Sequence, residues 1–197
     1  MDFSRYDGYE VTGSIVRSTT DAFRLFPDIA LKTIAKHGIG KTGLRGELIL
    51  EEEWYPLAPW LECFVDIEET VGGSKMFEIG KHVPKNAALP KTINDISSAL
   101  ASLDVAYHMN HRKSGRVMFD PATGAKTDGI GHFLPTVEKD RNRITLVADD
   151  VPYPCNCDRG IILGFATRFE PKASVTHPLE SGCRRKGDRS CTYVVEW

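Results

Sequence analysis

The sequence predicts an α+β fold, with helices in its first half and a small antiparallel sheet in its second. Apolar residues recur at spacings of three and four as far as residue 111, and short β-branched or aromatic runs separated by turns follow. With 197 residues, of which 41% are hydrophobic, the chain can bury one ample core. We therefore predict a single domain over residues 1–197, mainly helical over 1–111, with a sheet, a helix and a hairpin over 112–197.

Four helices are predicted in the first half: Asp21–His37, Leu44–Trp54, Trp60–Val83 and Thr92–His111. Pro27 is a candidate interruption of the first helix, and Gly72 with Gly73 marks a candidate break in the third. The fourth helix has the clearest period. Its apolar positions, spaced by three or four residues, include Ile93, Ile96, Ala99, Leu100, Leu103 and Tyr107.

The second half is predicted to contain strands around one helix. The strands are short, rich in β-branched or aromatic residues and bounded by turns: Arg116–Asp120, His132–Glu138, Arg143–Asp149, Ser174–Pro178 and Thr192–Trp197. Cys157–Phe169 returns to helical spacing between the third and the fourth of these strands. The last two strands form the predicted hairpin, and a charged turn joins them.

The composition argues against several classes of protein. A net charge of −2 gives no electrostatic reason to expect nucleic acid as a partner. No apolar run approaches the ~20 residues that a membrane-spanning helix needs. Met1–Glu10 is polar and does not resemble a secretory signal, so the five cysteines indicate a cytoplasmic protein with reduced thiols. An odd number of cysteines suits a metal site plus one buried thiol, for which Cys63 in its apolar stretch is the candidate.

Four residues near the C-terminus have the types and positions of a metal site. Cys157 begins a predicted helix, and Glu180, Cys183 and Cys191 flank the turn of the hairpin. Three thiolates and one carboxylate suit tetrahedral Zn²⁺ and leave no position open for catalysis. Basic residues of the turn would offset the negative charge of such a site: Arg184, Arg185, Lys186 and Arg189. Two alternatives stay open, namely Cys155 in place of Cys157, or cysteines that flank a solvated basic turn by chance.

A second polar group lies at the end of the fourth predicted helix. His108 and His111 are three positions apart and could share a face, where they could bind metal or line a pocket. They could instead cap the helix C-terminus, where positive side chains suit the helix dipole. Tyr107 would lie beside His108, which makes His108 the best polar candidate for a ligand pocket. No recognisable catalytic motif accompanies these residues, so an enzyme is the less favoured expectation.

The C-terminal motifs resemble the 4-vinyl reductase domain family, which includes sensory domains of phenol-responsive transcription activators and shares its fold with TRAPP vesicle-tethering subunits. The matching residues are Pro154-Cys155-Asn156-Cys157, Gly164-Phe165-Ala166, Glu180-Ser181-Gly182-Cys183, Gly187-Asp188, Cys191 and Glu196-Trp197. The resemblance implies a TRAPP-like, NO-signalling-like ligand-binding fold and a homodimer. It also implies zinc held by Cys157, Glu180, Cys183 and Cys191.

The same resemblance implies an interior pocket for a hydrophobic or aromatic small molecule. In phenol-binding members of the family, a His and a Trp hold the ligand hydroxyl. His108 lies near the position of that His. Near the position of the family's Trp, this sequence has Thr136 and no Trp. This departure argues against phenol itself, and we expect a free-standing ligand-binding protein.

Three functions follow as hypotheses. The favoured one is a sensor domain that contains structural zinc and binds a hydrophobic or aromatic ligand. The second is an enzyme or substrate carrier, for example in tetrapyrrole metabolism, although no nicotinamide or flavin fingerprint occurs. The third is a haem-type gas sensor related by fold. Such sensors need a proximal His and a Tyr-x-Ser-x-Arg stretch for the haem propionates, and that stretch does not occur in the sequence.

Overall fold

The computed structural model describes residues 2–23, 27–86 and 89–197. Over these ranges the chain forms seven α-helices: α1 (Gly13–Phe23), α2 (Pro27–Lys36), α3 (Leu57–Val71), α4 (Gly73–His82), α5 (Ile96–Ala101), α6 (Leu103–Met109) and α7 (Cys155–Ala166). The same ranges contain ten strands: β1 (Tyr9–Thr12), β2 (Lys41–Thr42), β3 (Leu48–Ile49), β4 (Trp54–Pro56), β5 (His111–Lys113), β6 (Arg116–Val117), β7 (His132–Glu138), β8 (Arg143–Asp149), β9 (Ser174–Thr176) and β10 (Ser190–Glu196).

The mixture of helices and antiparallel sheets confirms the predicted α+β class. The prediction of one sheet is wrong, because the described residues form two four-stranded sheets and a two-stranded one. Within the described ranges, no helix is both long and apolar enough to cross a membrane. The chain divides into two compact units, one over residues 1–76 and 107–127 and the other over 77–106 and 128–197.

The first unit has a sheet in the order β4-β1-β5-β6, with β1 antiparallel to both of its neighbours. Val11 on β1 is fully buried and pairs with Tyr55 on β4 and with His111 on β5. Helix α3 packs against β1 and α2 through apolar residues at helical spacing, including Trp60, Phe64 and Ile67. Burial of these large side chains supplies much of the hydrophobic stabilisation of this unit.

The second unit has a sheet in the order β7-β8-β10-β9, in which every pair is antiparallel. Strands β7 and β8 have the predicted bounds, which confirms both predictions. Burial alternates along β8, where Ile144, Leu146 and Ala148 face the core. Helix α7 packs against β9, β10 and α5, so this helix and the C-terminal strands share one core.

Two predicted helices of the first half differ from the structure. The helix predicted over Leu44–Trp54 is wrong, because Leu48–Ile49 pairs with Lys41–Thr42 as a short hairpin. Three of its apolar residues, Leu48, Ile49 and Leu50, are consecutive, so a helix would have placed them on different sides. The helix predicted over Thr92–His111 is two helices. Asp95 accepts a hydrogen bond from the backbone N–H of Ser98 (2.6 Å) and so caps α5 at a later residue.

The remaining helical predictions hold in part. The segment predicted over Trp60–Val83 divides into α3 and α4 at Gly72, as the paired glycines indicated. The segment predicted over Asp21–His37 overlaps α1 and α2, and its residues 24–26 lie outside the described ranges. Helix α7 begins two residues before the predicted start at Cys157 and ends three before Phe169.

Helices α4 and α7 approach each other closely at two glycines. A Cβ atom at Gly160 would lie 2.2 Å from the carbonyl oxygen of Phe77 and 2.9 Å from the Cα atom of Gly80. A Cβ atom at Gly80 would lie 2.3 Å from the carbonyl oxygen of Cys157. Each of these contacts is with backbone, so a side chain at either position forces the helices apart.

Substitution of Gly160 by alanine is expected to lower the free energy of unfolding by about 2–3 kcal/mol, because the clash outweighs the helix propensity that alanine gains. Gly187→Ala is the matched control. Gly187 has a φ of +93° and open space around its Cβ position, so its substitution costs about 1 kcal/mol of backbone strain. Urea unfolding of both variants measures the difference, and a Gly160→Ala protein more stable than wild type would contradict the packing described.

Candidate functional site

The predicted histidine group lies in the first unit, around the ring of Tyr107. His108 is fully buried in the last turn of α6, and His111 is 3% exposed at the start of β5. The Tyr107 ring centroid lies 5.4 Å from that of His108, at an interplanar angle of 89°, and 4.6 Å from that of His111. Tyr107 therefore contacts both imidazoles and limits the orientations that each can adopt.

The hydrogen bond that His111 makes fixes the position of its proton. Its Nδ1 atom lies 2.7 Å from the carbonyl oxygen of Tyr107, which can only accept, so Nδ1 carries the hydrogen. The pKa of His111 is lowered to about 4, mainly by burial and to a smaller extent by the nearby His108, against the hydrogen bond to Tyr107, which raises it. The ring is therefore neutral at pH 7, with the lone pair on Nε2. The neutral His111 therefore caps the end of α6 through a hydrogen bond, and not through the positive charge that the capping hypothesis required.

Acid is expected to destabilise the chain through His111. In the unfolded chain, His111 is protonated below its ordinary pKa of 6.5. In the folded chain, it is protonated only below about pH 4. Because the unfolded state then binds more protons, the free energy of unfolding falls by about 2 kcal/mol between pH 7 and pH 5. Urea unfolding at both pH values tests this, and His111→Leu should flatten the dependence. An equal pH dependence in wild type and variant would contradict the account.

The cysteine group lies in the second unit. The sulfur atoms of Cys155, Cys183 and Cys191 lie within 4.8 Å of one another, and all three residues are buried. Cys155 is the first residue of α7, Cys183 precedes a short 3-10 turn, and Cys191 lies in β10. The hydroxyl group of Tyr193, also on β10, donates a hydrogen bond to the carbonyl oxygen of Cys155 (3.0 Å).

Two residues of the predicted metal site do not belong to this group. Cys157 is buried at the contact of α7 with Gly80, and Glu180 is exposed in a 3-10 turn. Residues two apart on a helix point to different sides, so Cys155 and Cys157 cannot both face β10. The rival position, Cys155, is the one that the structure places beside Cys183 and Cys191.

The structure shows a buried ion pair beside the cysteines that the sequence analysis did not predict. A guanidinium nitrogen of Arg184, Nη2, donates to a carboxylate oxygen of Asp158, whose side chain is 1% exposed. Arg184 also donates from its backbone nitrogen and from Nε to the sulfur of Cys191, each at 3.3 Å. The basic turn is therefore not wholly solvated, because Arg184 is largely buried. The burial of Asp158 could not be predicted from the sequence, since an acidic residue in the first turn of a helix is ordinarily exposed.

Comparisons with known proteins bear on the fold. No family model matches the sequence, and no curated protein matches it. Solved structures do match, among them an H-NOX protein from S. oneidensis in the Fe(II)NO ligation state. That structure has a TM-score of 0.62 at 14% identity and covers 94% of this chain and 98% of its own. The chain has the H-NOX fold.

Two further H-NOX structures agree over the same share of the chain. The NMR structure of an H-NOX domain from Shewanella oneidensis in the Fe(II)CO ligation state has a TM-score of 0.59 at 14% identity and is covered over 97% of its length. An Fe(II) unliganded H-NOX point mutant from K. algicida has a TM-score of 0.58 at 14% identity, with 95% of its length covered. Similarity at this level of identity establishes the fold and leaves activity to be argued from the site.

The H-NOX fold corrects three predictions. The resemblance to the 4-vinyl reductase domain family is wrong, because the matching solved structures are H-NOX domains over nearly their whole length. Zn²⁺ as the cofactor is wrong for the same reason, since the matching structures are of H-NOX proteins in Fe(II) states and of a haem protein. The zinc-containing sensor of aromatic ligands therefore gives way to the third hypothesis. The prediction rested on the local spacing of the cysteines, whereas the structure brings Cys155 together with Cys183 and Cys191.

Proposed function

We propose that this chain is a haem-binding sensor domain for a diatomic gas. The observation that carries the proposal is the agreement of fold over 94% of the chain with H-NOX proteins solved in Fe(II)NO and Fe(II)CO states. A sensor needs no catalytic set, and the described residues around Tyr107 offer ligands and no nucleophile with its base. The homodimer and the cytoplasmic location stay predictions, the first of them testable by light scattering.

The chemistry of the buried histidines fits a haem. Haem iron takes an imidazole nitrogen as its axial ligand, and the imidazole must be neutral and shielded from water. His108 and His111 are both buried, and His111 is neutral with its Nδ1–H satisfied by a backbone carbonyl. His108 is the residue that would bind the haem iron, because it is fully buried, whereas His111 is already fixed by the pairing of β5 with β1. Tyr107, whose ring contacts both imidazoles, would orient the imidazole of His108.

When bound, the haem supplies the iron at which a diatomic gas coordinates. The last turn of α6 would hold the imidazole of His108 in place, and the burial of His108 would exclude water from it. The sequence has no Tyr-x-Ser-x-Arg stretch, so contacts to the propionates must come from other residues. Because of this departure, haem binding has to be measured before gas binding.

The experiment is a set of absorption spectra of the purified chain with ferrous haem, recorded without gas and then with CO and with NO. The proposal predicts a Soret band that shifts on addition of each gas and returns when CO is removed. A band that is indistinguishable from that of haem in buffer would contradict the proposal. Myoglobin and a haem-free soluble protein serve as positive and negative controls.

A further inference from the structure

A cleft of about 240 Å³ lies in the first unit, between the end of α2 and the segment that joins β3 to β4. It is lined by Gly38 and Gly40, which follow α2, and by residues that include Glu51, Glu52 and Trp54. Its volume is below the ~300 Å³ at which pockets for drug-sized ligands begin. The cleft therefore suits a small ligand, and no residue of the histidine group is part of its lining.

The charged side chains of the cleft are negative in sum. Glu51 and Glu52 contribute two carboxylates, and Lys41 contributes one ammonium group. In the part of the chain that the structure describes, neither of these carboxylates takes part in an ion pair. The C-terminal end of α2 adds the partial negative charge of its last carbonyl groups. The electrostatic potential of the cleft therefore favours a cation.

The backbone at the end of α2 argues against an anion as the ligand. Residues 35–42, with the sequence AKHGIGKT, resemble a loose phosphate-binding loop, which would present free backbone N–H groups to phosphate. Here the N–H groups of Gly38 and Ile39 donate to the carbonyl oxygens of Ala35 and Ile34, at 3.0 and 3.1 Å. These donors are already used to end the helix, so the glycines do not form a phosphate site.

The segment that carries the two carboxylates is fixed by hydrogen bonds to neighbouring elements. The backbone N–H of Glu52 donates to the hydroxyl group of Tyr55 on β4 (3.1 Å), and Nη1 of Arg17 on α1 donates to the carbonyl oxygen of Leu50 (3.2 Å). Tyr55 is 2% exposed, so the core holds its ring. A fixed backbone lowers the entropic cost of binding a ligand at this segment.

Trp54 supplies an aromatic surface that attracts cations. The guanidinium carbon of Arg112 lies 4.6 Å from the centroid of the Trp54 ring, while Nη2 of Arg112 donates to a carboxylate oxygen of Glu10 at 2.8 Å. Tryptophan is the side chain whose ring binds cations best. Because Trp54 also lines the cleft, an alkylammonium group bound there has an indole and two carboxylates within the same small space.

We propose that this cleft binds a small organic cation through an alkylammonium group. Glu51 and Glu52 accept hydrogen bonds from the ammonium N–H groups, and the indole of Trp54 contacts the alkyl carbons. The inference goes beyond the proposed haem site and does not rest on it, because every residue of the lining lies within residues 38–56.

The test is a heteronuclear NMR titration of the full isotope-labelled chain with 1,4-diaminobutane. The diamine is expected to shift, saturably, the backbone N–H signals of Gly38 and Gly40 and the indole N–H signal of Trp54. Butane-1,4-diol, which has the same length and no charge, should shift none of them, and neither should inorganic phosphate. Saturable shifts with the diol or with phosphate, or none with the diamine, would overturn the proposal.

Charge-neutralising variants separate the site from general attraction to an acidic surface. Glu51→Gln and Glu52→Gln are each expected to raise the dissociation constant of the diamine about fivefold, because each removes one ionic contact. Glu53→Gln is the matched control, since this neighbouring carboxylate does not line the cleft, and it should change the constant less than about twofold. An equal effect of all three substitutions would mean that no defined site exists.

A second pair of variants tests the position of the ligand. Gly38→Asn should abolish binding, because a Cβ atom at Gly38 has open space around it and asparagine tolerates the φ of +72°. The side chain then fills the cleft without a clash. Gly124→Asn is the matched control, since Gly124 has a φ of +73°, equally open surroundings and no part in the cleft. Diamine binding by Gly38→Asn as tight as by Gly124→Asn would contradict the proposal.

Discussion

Replacement of His108 by glycine is expected to remove the axial imidazole from bound ferrous haem and to let free imidazole restore it. The reason is that His108 is fully buried, so the variant leaves a space of imidazole size that buffer imidazole can enter. Absorption spectra before and after addition of imidazole measure the loss and the restoration. His37→Gly is the matched control, because His37 contacts Glu62 and Asp66 in a different part of the first unit.

The same experiment on His111 shows whether His108 or His111 binds the iron. His111→Gly should leave the axial ligand in place, although it removes the hydrogen bond to Tyr107. If His111→Gly and not His108→Gly lost a spectrum that imidazole restores, the axial assignment would be wrong and the haem proposal would stand. If neither substitution changed the spectrum, haem would not be held through this histidine group.

Substitution of Asp158 by asparagine is expected to lower the free energy of unfolding of the reduced chain by about 3–4 kcal/mol. Asp158 is buried with Arg184, and removal of one charge leaves the other inside the protein without its carboxylate. Thermal and urea unfolding measure the loss. Arg184→Met combined with Asp158→Asn should recover part of it, because the buried charge is then gone as well.

Asp149→Asn is the matched control for this prediction. Asp149 pairs with Arg189 at 2.9 Å in the same unit, but Arg189 is 74% exposed, so water replaces the lost contact. We expect a cost of about 0.5 kcal/mol at most for this exposed pair. Equal costs at Asp149 and Asp158 would contradict the account of the buried pair.

The sequence was most informative where the local pattern also decides the structure. Strands β7 and β8 have the predicted bounds because both are short runs rich in β-branched or aromatic residues between turns, and burial also alternates along β8. The helix predicted over Leu44–Trp54 was wrong because Leu48 and Ile49 pair there with Lys41 and Thr42 as a short hairpin. Strand β1 was missed, since a strand of four residues has too short a pattern to distinguish.

The candidate sites could be predicted only in part, for a different physical reason. The residue types of the histidine group and the clustering of the C-terminal cysteines are visible in the sequence. Which of Cys155 and Cys157 faces β10 depends on the rotation of α7, which is set by its close packing on Gly80. The burial of Asp158 and the neutrality of His111 depend on tertiary contacts, so no local pattern reveals them.

Titration of the purified chain with ferrous haem, followed by its Soret absorption, tests haem binding most directly. We expect saturation at one haem per chain, with the spectrum of iron bound by a single imidazole. Linear, unsaturable uptake equal to that of a soluble protein without a haem site would contradict it. In that case the H-NOX fold would here serve a chain that does not bind haem.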